Sequence, residues 1–260
     1  MCALVAAVTA VTYYRLPAGS TYHFEDSGLS GAASRLISYA NFPCALIAIA
    51  VVWATVRGKL ALLSIGLCAV VAVPGVVSQD DLTASWWNLP AAIGVLLAVW
   101  LTWPAPPRRD PPLGAARWWI IGLTALWSVP WMLASSGLYA QDVPLLGHVI
   151  RSRQPTPGEP GLASVHLGLH EGLFGLMLVI TGLLLSRRRG LATALSFYLA
   201  LMTCYGIAVA ANDGWNEQIV KRGWTDTQIP TVLQPKPSLA WLVLIIASLA
   251  VQRFWFAREM

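Results

Sequence analysis

Charged residues are scarce in this chain. Only 11% of its 260 residues are Asp, Glu, Lys or Arg, whereas about a quarter are charged in a typical soluble domain. Hydrophobic residues make up 57% of the sequence, and the mean hydropathy is positive. This balance excludes an ordinary water-soluble domain and predicts an integral membrane protein.

Cysteine is also sparse, and the common catalytic signatures are missing. The cysteines, which lie in apolar segments without CxxC spacing, are Cys2, Cys44, Cys68 and Cys204. A disulfide framework or a cysteine-based zinc site is therefore not expected. The sequence lacks a P-loop, a GxGxxG turn after a strand, a GxSxG elbow and a CxxCH haem signature. These absences remove the usual nucleotide-binding, serine-hydrolase and c-type haem classes.

The pI near 9.2 does not indicate a nucleic-acid partner. Such binding requires basic residues clustered with aromatic residues on one soluble surface, and here the basic residues lie between apolar runs. The partner that the composition predicts is the lipid bilayer.

Apolar runs bounded by charges or prolines predict eight transmembrane helices. The first run lacks the basic region and cleavage site of a secretory signal, so we interpret it as a helix although it is short for a span. The predicted spans are 2–15, 34–56, 60–77, 86–103, 118–136, 163–185, 191–210 and 238–256. The predicted fold class is an all-α polytopic transmembrane helix bundle, a single domain over residues 1–260.

The distribution of basic residues predicts the orientation of this bundle. One set of alternate loops carries ten basic residues and two acids, so the positive-inside rule makes that side cytoplasmic. The ten are Arg57, Lys59, Arg108, Arg109, Arg117, Arg187, Arg188, Arg189, Arg253 and Arg258. Tryptophans near the span ends agree with this assignment. We therefore expect a protein of the cell membrane with both termini cytoplasmic and the long loops extracytoplasmic.

Prolines fall in the outer halves of the second to fifth predicted spans. They are Pro43, Pro74, Pro90 and Pro130. Each removes a backbone hydrogen bond and is expected to kink its helix. Either neighbouring helices satisfy the freed groups or the broken helices line a watery cavity.

A proline-rich cytoplasmic linker, residues 104–117, separates two halves, 1–103 and 118–260, with the same order of helices and loops. Four residues recur 130 positions later: Gly31, Ala33, Ser34 and Arg57 correspond to Gly161, Ala163, Ser164 and Arg187. This pattern indicates a parallel four-plus-four internal repeat of the kind found in transporters.

The sixth predicted span, residues 163–185, contains two histidines and a glutamate that could bind a metal or catalyse a reaction. His166 and His170 lie about 40° apart on one helical face, and imidazoles at this spacing can share a metal ion such as zinc. Glu171 points away from that face, so the arrangement differs from the HExxH motif of zinc proteases. The alternative is a pair of neutral histidines bonded to neighbouring helices.

Glycines line the opposite face of the same span. Gly168, Gly172, Gly175 and Gly182 would let another helix backbone approach closely. We therefore predict that this helix packs at the centre of the bundle.

Acids at the outer ends of other spans complete the predicted site. Asp80 is the expected third metal ligand, and Asp81, Asp213 and Glu171 are the expected catalytic acids or bases. For each acid the alternative is a solvated loop residue or a helix cap.

The loop 212–230 predicts a short interfacial lid helix, capped by Asp213 and ended by Gly223. A salt bridge between Glu217 and Lys221 is the structural alternative to a functional role for Glu217. The residues expected to bind substrate are Asn212, Trp215, Glu217 and Arg151.

Four functions fit these features. The first is a metal-dependent membrane enzyme acting at the outer leaflet on a lipid or small amphipathic substrate. The second is a transporter or binding protein in which Glu171, Asp80 and Asp213 handle a proton or cation. A non-catalytic accessory subunit and a haem protein with an intramembrane histidine ligand are the others.

Overall fold

Most of the chain that the structure describes is helical. The computed structural model describes residues 2–15, 28–73, 86–103, 110–138, 143–149, 172–188, 190–232 and 236–256. These ranges contain no strand, which confirms the all-α prediction. The helices are α1 (Cys2–Arg15), α2 (Gly28–Tyr39), α3 (Ala45–Thr55), α4 (Lys59–Ala69), α5 (Leu89–Thr102), α6 (Ala115–Trp127), α7 (Val129–Ser135), α8 (Leu146–Val149), α9 (Gly172–Leu185), α10 (Thr193–Gln218) and α11 (Leu239–Val251).

Three helical segments of the described chain are long and apolar enough to cross a membrane. They are Gly28–Thr55, Thr193–Arg222 and Leu239–Phe256, and a fourth follows if α6 and α7 count as one bent span. This number is smaller than the eight predicted spans, although each predicted span overlaps a helix. The shorter apolar helical segments are Lys59–Ala72, Trp86–Thr102 and Gly172–Leu185.

The prolines act differently from one helix to the next. A π-helical segment, Ala40–Cys44, joins α2 to α3. Within it, the backbone of Phe42 departs from helical geometry directly before Pro43. Helices α6 and α7 meet at an angle of 58°, close to Pro130. Pro90 lies in the first turn of α5, directly after the short 3₁₀ turn Trp86–Asn88, and therefore does not interrupt the interior of an α-helix. Pro74 lies outside the described residues.

Helix α9 is at the centre of the bundle, as its glycines predicted. Twelve of its fourteen residues are buried. The eight buried side chains among them that are large and apolar belong to one core with residues of α2, α3, α7, α10 and α11. A second, smaller core joins α3, α4 and α5 through small side chains, and there the Ser64 hydroxyl donates to the Gly94 carbonyl at 2.9 Å.

Glycine allows α9 and α10 to touch backbone to backbone. A methyl group on Gly206 would lie 2.6 Å from the Gly175 carbonyl oxygen and 3.0 Å from Leu178 Cβ. On α9, a methyl group on Gly182 would lie 2.8 Å from the Leu199 carbonyl oxygen. The predicted approach of another helix backbone is confirmed at Gly175 and Gly182, whereas Gly172 meets the Trp131 side chain and Gly168 lies outside the described residues.

Basic side chains gather at one end of the bundle, which we call the basic end (residues 110–117, 186–188 and 252–256). Arg117 is buried there, with its guanidinium 5.1 Å from the centre of the Trp255 ring, and it donates to the Ser186 hydroxyl at 3.3 Å. Arg188 pairs with Asp110 at 3.4 Å. The three segments of the basic end, which the alternation of loops predicts on the same side of the membrane, therefore lie together.

Large apolar side chains cover much of the outer surface. On α5, Leu96 and Trp100 are 69% and 64% exposed, and on α11 Ile246 is 57% exposed. Soluble monomers rarely expose continuous apolar patches larger than a few hundred Å². Exposure of the apolar surfaces of α5 and α11 to water is therefore unfavourable.

Substitution of Gly206 by alanine tests the backbone contact. We expect it to lower the free energy of unfolding by roughly 1–3 kcal/mol, the usual cost of overpacking, because the obstructing atom is a backbone carbonyl. Thermal unfolding of the detergent-purified protein measures this change. In the matched control, Gly66→Ala, the new methyl group meets nothing within 4 Å. An unchanged melting temperature for Gly206→Ala would contradict the close contact.

Candidate functional site

The first turn of α9 joins three other helices at the end of the bundle opposite the basic end. The Ser128 hydroxyl, between α6 and α7, donates to the Gly172 carbonyl at 2.8 Å. The Trp131 ring of α7 lies against Gly172, where a methyl group would be 2.8 Å from the indole. Gly175 rests against Ala210 of α10. The last turns of α10 therefore lie beside the point where α9 begins.

Helix α10 continues through the residues that were predicted to form a separate lid. Asn212, Asp213 and Glu217 lie within it and are buried. The predicted lid helix is therefore wrong, and so is the role of Asp213 as its cap. Gly223 does end the helical path, because it adopts a left-handed conformation with φ of 74° after a short 3₁₀ turn.

The polar side chains of α10 hold the segment that follows. We call residues 224–232 the strap. The Trp215 indole donates to the Thr227 carbonyl at 2.7 Å, and the Asn212 amide donates to the Pro230 carbonyl at 3.1 Å. The Asn216 side chain accepts from the Ile229 N–H at 3.3 Å and donates to its carbonyl at 3.5 Å. Two residues predicted to bind substrate, Asn212 and Trp215, thus have their donors bonded to the strap.

The ion pair that sequence analysis offered as the alternative for Glu217 is present. Lys221 Nζ lies 2.7 Å from Glu217 Oε1, and the carboxylate is buried while the ammonium is partly exposed. Arg222, one residue on, donates to the Val149 carbonyl of α8 at 2.7 Å. This turn ties α8 to the end of α10.

Asp213 is the carboxylate at this end whose hydrogen bonds are incomplete. Its residue is 3% exposed, and within the described chain Oδ2 has no hydrogen-bond partner. Its charged neighbours are Glu217 and Lys221. A buried carboxylate oxygen without a partner is costly, so this oxygen is available for a metal ion, a proton or a substrate donor.

Arg35 is a second buried charge, at a position for which the sequence predicted no role. It is 0% exposed, and its guanidinium lies 5.2 Å from the Tyr39 ring centre and 5.5 Å from that of Phe174. Phe174 belongs to the first turn of α9, so Arg35 lies at the same level as Gly172. The signal that would have found it is a single charge inside the apolar run 34–56.

The remaining predicted site residues lie outside the described residues. They are Asp80, Asp81, Arg151, His166, His170 and Glu171. Among the side chains that the structure describes, no three His, Cys, Asp or Glu residues form a group that could hold a metal ion. The site residues whose positions are known are thus Asn212, Asp213, Trp215 and Glu217. Together with Arg35 and the strap they form what we call the polar end.

Comparison with protein-family models, with curated proteins and with solved structures finds no match for this chain.

Replacement of Asn216 by alanine tests how the strap is held. We expect the Ile229 amide to exchange its hydrogen about fivefold faster, because a hydrogen bond contributes on the order of 1 kcal/mol and its acceptor is removed. Hydrogen–deuterium exchange followed by mass spectrometry measures this rate. Gln228→Ala, at an exposed strap position, is the control and should leave the rate unchanged. Equal rates in both variants would show that Asn216 does not hold the strap.

Proposed function

We propose that this chain is an integral membrane protein of the cell membrane, with the basic end cytoplasmic and the polar end extracytoplasmic. The exposed apolar faces of α5 and α11 support this location, because lipid removes the cost of exposing them to water. The grouping of residues 110–117, 186–188 and 252–256 at one end supports the orientation, since cytoplasmic loops carry an excess of Lys and Arg.

Cysteine labelling in intact cells tests this orientation. Arg57→Cys lies between α3 and α4, on the proposed cytoplasmic side, and Asp226→Cys lies in the exposed strap. A membrane-impermeant maleimide should label Asp226→Cys and spare Arg57→Cys until the cells are opened. The unsubstituted chain, whose cysteines lie in apolar segments, is the control. Labelling of Arg57→Cys alone in intact cells would reverse the orientation, and recovery of the protein in the soluble fraction would exclude the membrane.

We further propose that the polar end is the site of a metal-dependent membrane enzyme. The observation that carries this proposal is the buried carboxylate of Asp213, whose Oδ2 has no hydrogen-bond partner in the described chain. Carboxylate oxygens are ordinary ligands of zinc and of similar ions. A coordinated cation would offset the cost of burying this charge.

In this proposal His166 and His170 are the other two ligands of a three-ligand site, Asp80 is the alternative third ligand in place of Asp213, and Glu171 and Asp81 are candidate acids or bases. Histidine and carboxylate sets that leave one position open are typical of catalytic zinc, which lowers the pKa of bound water toward neutrality. Asn212 and Trp215 position the strap beside Asp213. The substrate is a lipid or a small amphipathic molecule, because the site lies at one end of an apolar bundle.

The second candidate is a transporter or a proton- or cation-coupled binding protein. Two buried charges favour it, Asp213 at the end of α10 and Arg35 beside the first turn of α9. Ionisable residues inside membrane bundles commonly belong to proton or ion pathways. In this case Asp213 would bind the coupling ion transiently and hold no resident metal.

Metal analysis of the detergent-purified protein separates the two candidates. The enzyme requires about one bound ion per chain, lost from Asp213→Asn and from a His166→Ala, His170→Ala double variant. Asp226→Asn, an exposed acid of the strap, is the control and should keep its metal. The absence of metal from the unsubstituted protein would overturn the enzyme proposal. Gradient-driven flux in sealed vesicles that Asp213→Asn abolishes would then support transport.

A further inference from the structure

An apolar cavity of about 260 Å³ lies beside α10, between that helix, the α2–α3 junction, the end of α4 and α11. Its walls include Phe42, Leu46, Val71, Met202, Tyr205 and Trp241. Engineered apolar cavities of roughly 150 Å³ already bind a molecule the size of benzene. This space is therefore large enough for part of a hydrocarbon chain.

The polar groups at the wall do not favour a polar occupant. Besides Tyr205, a tyrosine of α10, Tyr198, lines the cavity, and its hydroxyl donates to the Leu46 carbonyl at 2.9 Å. The ring of Tyr205 packs 5.9 Å from Phe42 and 5.6 Å from Trp241, centre to centre. The walls thus offer aromatic and aliphatic surface, which suits methylene groups.

The cavity and the candidate site share α10. Tyr205 lines the cavity wall, and Asp213 follows further along the same helix. The two residues are eight positions apart on α10, which is about 12 Å along the helix axis. A second apolar cavity, of about 330 Å³ and lined by Ala6, Tyr39 and Val99, is bordered by α1, α2, α3 and α5 and includes no residue of α10.

We infer that the cavity beside Tyr205 is a binding subsite for the single hydrocarbon chain of an amphipathic lipid, whose polar group lies toward Asp213. This inference rests on the proposed function and names its substrate class, an amphipath with one aliphatic chain. The cavity holds the chain, and the length of chain it accepts is set by Met202, Val71 and Trp241 at its walls.

Photolabelling tests this subsite directly. The probe is a hexadecanol analogue with a diazirine at the chain end, a neutral molecule that Asp213 does not repel. We expect labelling of α10 and α11 peptides at Leu201, Met202 and Trp241, and competition by unlabelled hexadecanol. Val71→Trp and Leu46→Trp, which fill the cavity, should each reduce labelling at least about tenfold, since excluding about two methylene groups has that effect.

Val99→Trp is the matched control, because it places the same side chain in the other cavity, and it should leave labelling unchanged. Equal labelling of exposed α11 residues such as Leu242 and Ile246, without competition, would overturn the subsite. Loss of labelling in Val99→Trp as well would also overturn it. Asp213→Asn should retain the label. If the protein is labelled but holds no metal, the enzyme proposal is wrong and the hydrocarbon subsite stands. If the protein holds metal but is not labelled, only the hydrocarbon subsite is wrong.

Discussion

The backbone contact between α9 and α10 determines where the other parts of this protein can lie. Gly175, Gly182 and Gly206 remove the side chains that would separate the two helices, and carbonyl oxygens occupy the space instead. Neither helix can then rotate without bringing a larger residue into the contact. Because α9 is buried along almost its whole length, every helix that packs around it takes its position from this pair.

The contact between α9 and α10 also explains why Asp213, at the polar end, is buried. Ala210 rests against Gly175, so Asp213, less than one turn further along α10, lies beside the first turn of α9. The Trp127 indole donates to the Ala210 carbonyl and lies against Gly214, which has no side chain to exclude it. Asp213 is buried within this packing, and Asn212 and Asn216 beside it hold the strap.

The features that follow from local spacing were predictable, and those that depend on distant partners were not. The glycine face of α9 repeats within one helix, so the sequence shows it directly. Asn212, Asp213 and Glu217 look like loop residues, because polar residues normally end an apolar span. Their partners are distant along the chain: the Asn212 amide donates to the Ile229 carbonyl, and the Ile229 N–H donates to the side chain of Asn216. Arg35 was missed for a similar reason, since its aromatic cover includes Phe174 of another helix.

The buried charges differ in how their surroundings compensate them, and this difference singles out Asp213. Arg117 has two aromatic faces and a hydroxyl acceptor, and Arg35 has two aromatic faces. Cations over aromatic rings are stabilised by the ring quadrupole, whereas an anion gains nothing from the same faces. Around Asp213 the adjacent acid, Glu217, is already paired with Lys221. Within the described chain the Asp213 carboxylate therefore has no ion-pair partner of its own, which is the property that the proposed cation site requires.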